Sequence, residues 1–249
     1  MKNFSPKQAV ELFHLLFLDQ LQHKLDNRLY ALKGGCNLRF FFNSIRYSED
    51  IDLDIQTVQR ETLQHKIDKL LEGQPFQQIL QAKGLSITDT HAVKQTQTTQ
   101  RWKLKVHTQH SQLGIPTKIE FSRRGPITNA QTSLMMPHIS QLYQLAPILV
   151  SHYDANQAFS QKVEALIHRS QTQARDVFDL HLLIQQGAKQ QGQPATKEIE
   201  HAKQNALSIS FEDFKSQVVA YLQPEHIKTY SSADTWHSIA SQVINSLTS

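Results

Sequence analysis

Between Asp50 and Ile55 the chain reads Asp-Ile-Asp-Leu-Asp-Ile, with acidic and branched apolar residues alternating without a break. Successive side chains of a β-strand point to opposite faces, a period that no helix shares. The segment Ile51–Ile55 is therefore a strand that buries Ile51, Leu53 and Ile55 and presents Asp50, Asp52 and Asp54 on its other face. Carboxylates held so close repel one another. Either that face is solvated, as on many edge strands, or a cation neutralises it. Mg²⁺ takes hard oxygen ligands, characteristically one or two carboxylates plus substrate phosphates.

The remaining pattern divides the chain. Val10, Phe13, Leu16, Phe17, Leu21 and Leu25 recur at three- and four-residue spacing and predict a helix over 6–29. A helix over 57–71 follows the acidic strand, and alternation predicts further strands at 84–88, 101–107 and 115–122. From Met136 onward the pattern is helical, with helices over 154–169, 173–186, 211–222 and 232–247 and a polar loop at 185–198. The expected class is α+β, with a sheet-bearing core over 1–130 and a helical domain over 131–249. Charged residues interrupt every apolar stretch, including Glu11, His14 and Asp19 near the start, so neither a membrane span nor a signal-peptide layout is expected. One cysteine among 249 residues excludes an internal disulfide and fits a reducing cytoplasm. A formal net charge of +4 permits a nucleic-acid partner without requiring one.

Just upstream of the acidic strand stand Lys33, Gly34 and Gly35, followed by Cys-Asn-Leu-Arg-Phe-Phe-Phe, a candidate short helix. A glycine pair at a helix start lets the backbone approach a phosphate, and the helix N-terminus offers free N–H groups to it. Taken alone, the pair is equally a simple turn. Placed next to Asp-x-Asp, it brings a phosphate cradle to a metal site, the equipment of nucleotidyl transfer.

The stretch Lys-Gly-Gly-Cys-Asn-Leu-Arg-Phe-Phe-Phe-Asn-Ser-Ile-Arg-Tyr-Ser-Glu-Asp-Ile-Asp-Leu-Asp resembles the signature of the AbiEii/AbiGii-type nucleotidyltransferases, the toxins of bacterial toxin–antitoxin and phage-defence systems. The matching positions are Gly34, Gly35, Leu38, Arg39, Arg46, Ser48, Asp50, Ile51 and Asp52. A second block, a lysine-led helix followed by Arg-Asp-x-x-Asp-Leu, is matched by Lys162, Arg169, Arg175, Asp176, Asp179 and Leu180. The resemblance spans about 33–183. It departs at Cys36-Asn37, where the family commonly carries Thr or Ser followed by Ala.

The resemblance implies a polymerase-β-like core with a mixed sheet, followed by a helical domain that contributes Lys162 and Asp176 to the cleft. It implies Mg²⁺ or Mn²⁺ at Asp50 and Asp52, Ser48 beside the triphosphate, and Lys162 on the nucleotide phosphates with Lys33, Gly34 and Gly35. Asp176 would complete the constellation. Read from residue chemistry alone, Lys162 is a solvated helix lysine, Asp176 belongs to a surface salt-bridge ladder, and Asp179 partners an arginine.

Other candidates carry two readings each. Glu120 shares a strand face with Lys118 and Ser122, and is either a further metal ligand or a paired strand glutamate. Arg101, Lys103, Lys105 and His107 form a basic face that either tracks an RNA backbone, with Arg123 and Arg124 adjoining, or is simply solvated. The histidines, His107 and His110 included, show no zinc-type spacing, and nothing adjacent to Cys36 marks it as a nucleophile.

The expected activity is transfer of a nucleoside monophosphate from an NTP to an acceptor hydroxyl by a cytoplasmic toxin with a cognate antitoxin. The leading acceptor is the 3′ end of tRNA, which would block translation. The alternatives are a protein hydroxyl as acceptor, a housekeeping transferase, or a catalytically silent binding module.

Overall fold

The structure, a computed structural model, describes residues 4–109, 111–123 and 125–247. The chain forms two compact units. One comprises Met1–Phe41 and Tyr47–Tyr153, the other Phe42–Arg46 and Asp154–Ser249. The division after Tyr153 differs from the boundary at 130 expected from sequence, because β6 (Ala130–Leu134) and β7 (Leu149–Tyr153) lie in the sheet. The short segment Phe42–Arg46 joins the helical unit although it precedes the acidic strand in sequence.

The sheet unit is built on a seven-stranded mixed sheet of order β3-β4-β5-β2-β1-β7-β6. The strands are β1 (Tyr30–Lys33), β2 (Ile51–Ile55), β3 (Leu85–Gln95), β4 (Thr99–Thr108) and β5 (Ser111–Ser122), with β6 and β7. β2 pairs parallel with β5 and antiparallel with β1, and β1 pairs parallel with β7. The acidic strand is thus internal rather than an edge strand. Ile51, Leu53 and Ile55 are buried as their alternation requires.

Helix α1 (Pro6–Leu21) starts at a Ser5/Gln8 capping box with Pro6 in its first turn. Every residue over 9–18 is buried, which makes it a core helix. It stops well short of 29; Leu25 stays buried beyond the helix end, which is why the apolar spacing ran on. The charges buried along α1 are answered. Glu11 accepts from Arg39 Nε at 2.6 Å and from the Tyr143 hydroxyl at 2.7 Å. Arg39 of α2 (Gly34–Phe41), a signature position, is therefore a structural ion-pair partner beneath the sheet.

In the same unit, α3 (Arg60–Glu72) matches the expected helix at 57–71, while α4 (Gln74–Ala82) and α5 (Pro137–Leu142) add to it. The helical unit contains α6 (Ala155–His168), α7 (Ala174–Gln185), α8 (Thr196–Leu207), α9 (Phe211–Gln217), α10 (Pro224–Tyr230) and α11 (Ala233–Ser246). Its core includes Phe178 and Phe214, with Phe214 stacked on Trp236 at 4.6 Å. The residues 211–222 break into α9 and a 3-10 turn at Val219–Tyr221 rather than one helix.

Candidate nucleotidyltransferase site

The glycine turn and the acidic strand meet directly. Lys33 ends β1 and pairs in register with Asp52 of β2, and Gly34 follows at φ +67°. A Cβ built on Gly34 would stand 3.2 Å from Asp52 Oδ2. Both the left-handed backbone and the close approach call for glycine here, and any side chain would press on the carboxylate. The turn opens α2, so helix-terminal N–H groups adjoin an acidic strand.

A single cross-sheet row carries the charge. Lys33, Asp52, Glu120 and Arg101 occupy paired positions on β1, β2, β5 and β4 in that order. Arg101 donates to Glu120 Oε2 from Nε at 2.7 Å and from Nη2 at 2.6 Å. Asp54 accepts from Lys33 and, at 2.8 Å, from the Tyr153 hydroxyl. Asp50 accepts at 2.7 Å from Lys118 Nζ and at 3.2 Å from the Lys118 amide. Burial pushes the Asp52 carboxyl above its usual range; Lys118 opposes that shift while Asp50 and Glu120 add to it. Among the described residues, no three His, Cys, Asp or Glu side chains are gathered closely enough to hold a metal ion. The donor set of Asp50 and Asp52 nonetheless suits a hard divalent ion that takes its other oxygens from phosphate and water. Glu120 lies level with Asp52 but gives an oxygen to Arg101.

The loop before β2 is pinned from beneath. The Ser48 hydroxyl donates to the Asp50 carbonyl at 2.9 Å, Cys36 Sγ contacts the same carbonyl at 3.3 Å, and Thr117 donates to the Glu49 carbonyl at 2.7 Å. His14 lies below, 2.8 Å from Thr117 Oγ1 and 3.6 Å from Cys36 Sγ. Burial lowers the His14 pKa to about 4, so the ring is neutral. Burial raises that of Cys36 well above the ordinary thiol value, which leaves an unreactive thiol.

The second block forms its own cluster inside the helical unit. Lys162 of α6 sits 2.9 Å from Asp176 Oδ1 and 2.7 Å from Asp179 Oδ2, both on α7. Both aspartates have 0% side-chain exposure, and Lys162 has 11%. Arg46 reaches Asp179 through Nη2 at 3.0 and 3.1 Å, and Arg169 Nη1 lies 3.2 Å from Asp176 Oδ2. Burial alone would raise the Asp179 carboxyl; Arg46 and Lys162 outweigh it and hold the pKa below its usual value. Neither Lys162 nor Asp176 is a solvated surface residue.

Of the basic strand, Arg101 is committed to Glu120 and Lys105 pairs with Asp89 at 2.8 Å, while Lys103 is exposed. Arg123 is half-buried and donates to the Val58 carbonyl. Arg124 and His110 lie outside the described residues. Lys118 was not singled out from sequence; its signal was the alternation that sets it on one face with Glu120. Tyr153 offered no such signal, because β7 itself went unrecognised.

A glycine turn against an aspartate strand in a mixed sheet defines a nucleotidyltransferase-type core, and comparison with known proteins specifies it. The family model for the nucleotidyl transferase AbiEii toxin of type IV toxin–antitoxin systems matches residues 16–236. The chain belongs to this family, and the match runs well past the stretch over 33–183 recognised from motifs. The fold is similar to the crystal structure of JHP933 from Helicobacter pylori, with TM-score 0.61 and 16% identity over 99% of this chain and 95% of that one. It is also similar to MenT4, a nucleotidyltransferase toxin from Mycobacterium tuberculosis H37Rv, with TM-score 0.59 and 15% identity over 97% and 92%. No curated protein sequence matches significantly. No helix among the described residues is long and apolar enough to cross a membrane.

Proposed function

We propose that this toxin transfers a nucleoside monophosphate from an NTP to an acceptor hydroxyl, with release of pyrophosphate and dependence on Mg²⁺ or Mn²⁺. The observation that supports the proposal is the 3.2 Å approach between the Cβ position of Gly34 and Asp52 Oδ2, which brings the glycine turn against the acidic strand. Asp50 and Asp52 would hold the divalent ion, which when bound neutralises phosphate charge and aligns the attacking and leaving oxygens. Lys33, Gly34 and Gly35 would receive the phosphates through an ammonium and backbone N–H groups. Ser48 would act by fixing the Asp50 backbone that its hydroxyl binds.

Lys162 would be a phosphate contact of the helical unit, with Asp176 holding it. An ammonium has three N–H donors, and two of them meet Asp176 and Asp179. The cluster of Lys162, Arg46 and Arg169 with Asp176 and Asp179 carries one excess positive charge, which favours an anion.

The acceptor we favour is the 3′ end of tRNA, whose capping would block translation, in keeping with the family's toxin role. The site of action would be the cytoplasm, with a cognate antitoxin as partner and phage defence as the setting. The test is incubation with each labelled NTP and total RNA, with and without EDTA, followed by gel separation. Label on tRNA-sized RNA in the metal-containing lanes alone is the expected result. Label on protein would move the acceptor, and no label under any condition would leave a binding module.

A further inference from the structure

Asp50 has both carboxylate oxygens engaged by a single residue. Lys118 Nζ stands 2.7 Å from Oδ2, and the Lys118 amide donates to Oδ1 at 3.2 Å. Its neighbours on the same face are matched in the same manner, Glu120 by Arg101 and Asp54 by Lys33 and Tyr153. Lys118 is thus the cation that answers Asp50, and its charge also reaches Asp52.

We propose that the Lys118 ammonium and the divalent cation compete for Asp50, so that metal loading requires Lys118 to let go. The inference rests on the metal reading of Asp50 and Asp52 and adds a gate to it. Three physical points support the competition. An ammonium is a compact point charge on a flexible stem, so it can swing from a carboxylate without strain in the sheet. The pair is partly open to water, with side-chain exposures of 28% and 24%, so release is not opposed by burial of a bare charge. Retaining both cations on one carboxylate would set like charges within a few ångströms, which is costly. The competing ammonium scales metal affinity down to the fraction of time that Asp50 is free of it, so an ammonium bound about nine-tenths of the time weakens binding about tenfold. Metal binding would then free a lysine on the same face as the row Lys33, Asp52, Glu120 and Arg101.

Mn²⁺ binding, followed by electron paramagnetic resonance on the full chain, tests this with wild type, Lys118→Met and Lys118→Arg. The methionine variant keeps the length and loses the charge; it is expected to bind Mn²⁺ about three- to tenfold more tightly, with the arginine variant near wild type. A second measurement needs no variant. Amine acylation of wild type, read by mass spectrometry, is expected to increase at Lys118 as Mn²⁺ is added, with Lys103 as an exposed reference whose labelling stays constant. Unchanged or weaker Mn²⁺ binding in Lys118→Met, or Lys118 labelling indifferent to Mn²⁺, overturns the competition while leaving the metal site standing. Absence of Mn²⁺ binding in all three proteins removes the metal reading and the competition with it.

Discussion

Two clusters of acids and bases, one in each unit, use the same side-chain chemistry in opposite surroundings. On the sheet face, Asp50, Asp54 and Glu120 keep side-chain exposures of 24, 17 and 13%, and their partners Lys118, Lys33 and Arg101 keep 28, 23 and 33%. In the helical unit, Asp176 and Asp179 have none, Arg46 retains 4% and Lys162 11%, while Arg169 at the rim of the cluster keeps 38%. Partly wet ion pairs are worth little and exchange easily. Buried ones are costly to form and costlier to break, because the survivor is left as a bare charge in a low dielectric. The sheet cluster is therefore suited to trading its internal partners for a ligand, whereas the helical cluster is suited to holding one fixed arrangement.

The first way to break that contrast is through Asp50 and Asp52. Asp50→Ala or Asp52→Ala is expected to lower nucleotide transfer by about a thousandfold or more, the several kcal/mol that metal-assisted charge stabilisation supplies. Stability should hold, and Asp52→Asn should leave it equal or higher, since its carboxyl is already pushed up by burial and by Asp50 and Glu120. Labelled-NTP incorporation and thermal melting on the same preparations decide it. Activity retained in both alanine variants would mean that the exposed cluster is no reaction centre.

The buried cluster should respond the other way. Asp179→Ala leaves Arg46 and Lys162 without their shared carboxylate and is expected to cost about 3–5 kcal/mol of stability. Chemical denaturation measures it. A loss below about 1 kcal/mol would show that the helical cluster is as exchangeable as the sheet cluster, and the contrast would collapse.

A smaller effect follows from pH. His14 has its pKa lowered from 6.5 to about 4 by burial, with Asp50 pulling weakly the other way. In that interval the unfolded chain binds a proton that the folded chain refuses, so stability falls as pH drops from 6.5 towards 4. The loss approaches about 3 kcal/mol at the lower end. His14→Gln should flatten this part of the stability–pH curve, and an unaltered curve would place the acid sensitivity elsewhere.

What the sequence revealed of this contrast depended on period. Ile51–Ile55, residues 101–106 of β4 and residues 117–121 of β5 alternate because one side meets core and the other meets charge, and their faces are readable residue by residue. β1 is Tyr-Ala-Leu-Lys with its first three residues buried, so it shows no alternation and passed unnoticed. β7 falls inside the region read as helical from Met136 onward and β6 just before it, and neither five-residue strand carries enough periodic signal to stand out. Lys162 and Asp176 were named from the family motif alone; residue chemistry favoured a solvated lysine, and burial in the structure removes that alternative. No spacing rule could have paired Arg46 with Asp179, because the partners are 133 residues apart. The pairing of Lys118 with Asp50 was hidden for a related reason, since it depends on β2 and β5 being neighbours.

The weakest expected effect sharpens the exposed side of the comparison. Arg101 is bound to Glu120, so the strand's cations available to a polynucleotide reduce to Lys103 and Lys105. Lys105 pairs with Asp89, and with both side chains about half exposed a phosphate can displace the carboxylate. Each phosphate neutralised on single-stranded RNA contributes about 0.7 to the slope of log affinity against log salt. Lys103→Ala with Lys105→Ala should therefore reduce that slope by about 1.4 and weaken RNA binding a few-fold at moderate salt. Stability and NTP affinity should stay near wild type, because neither lysine supports the core or adjoins the glycine turn. RNA affinity measured at two salt concentrations, beside NTP affinity, reads both consequences. An unchanged slope would return this strand to the status of a solvated sheet face and move the RNA path to another surface. A joint loss of RNA and NTP binding would instead mean that the basic strand and the Asp52 row act as one continuous site.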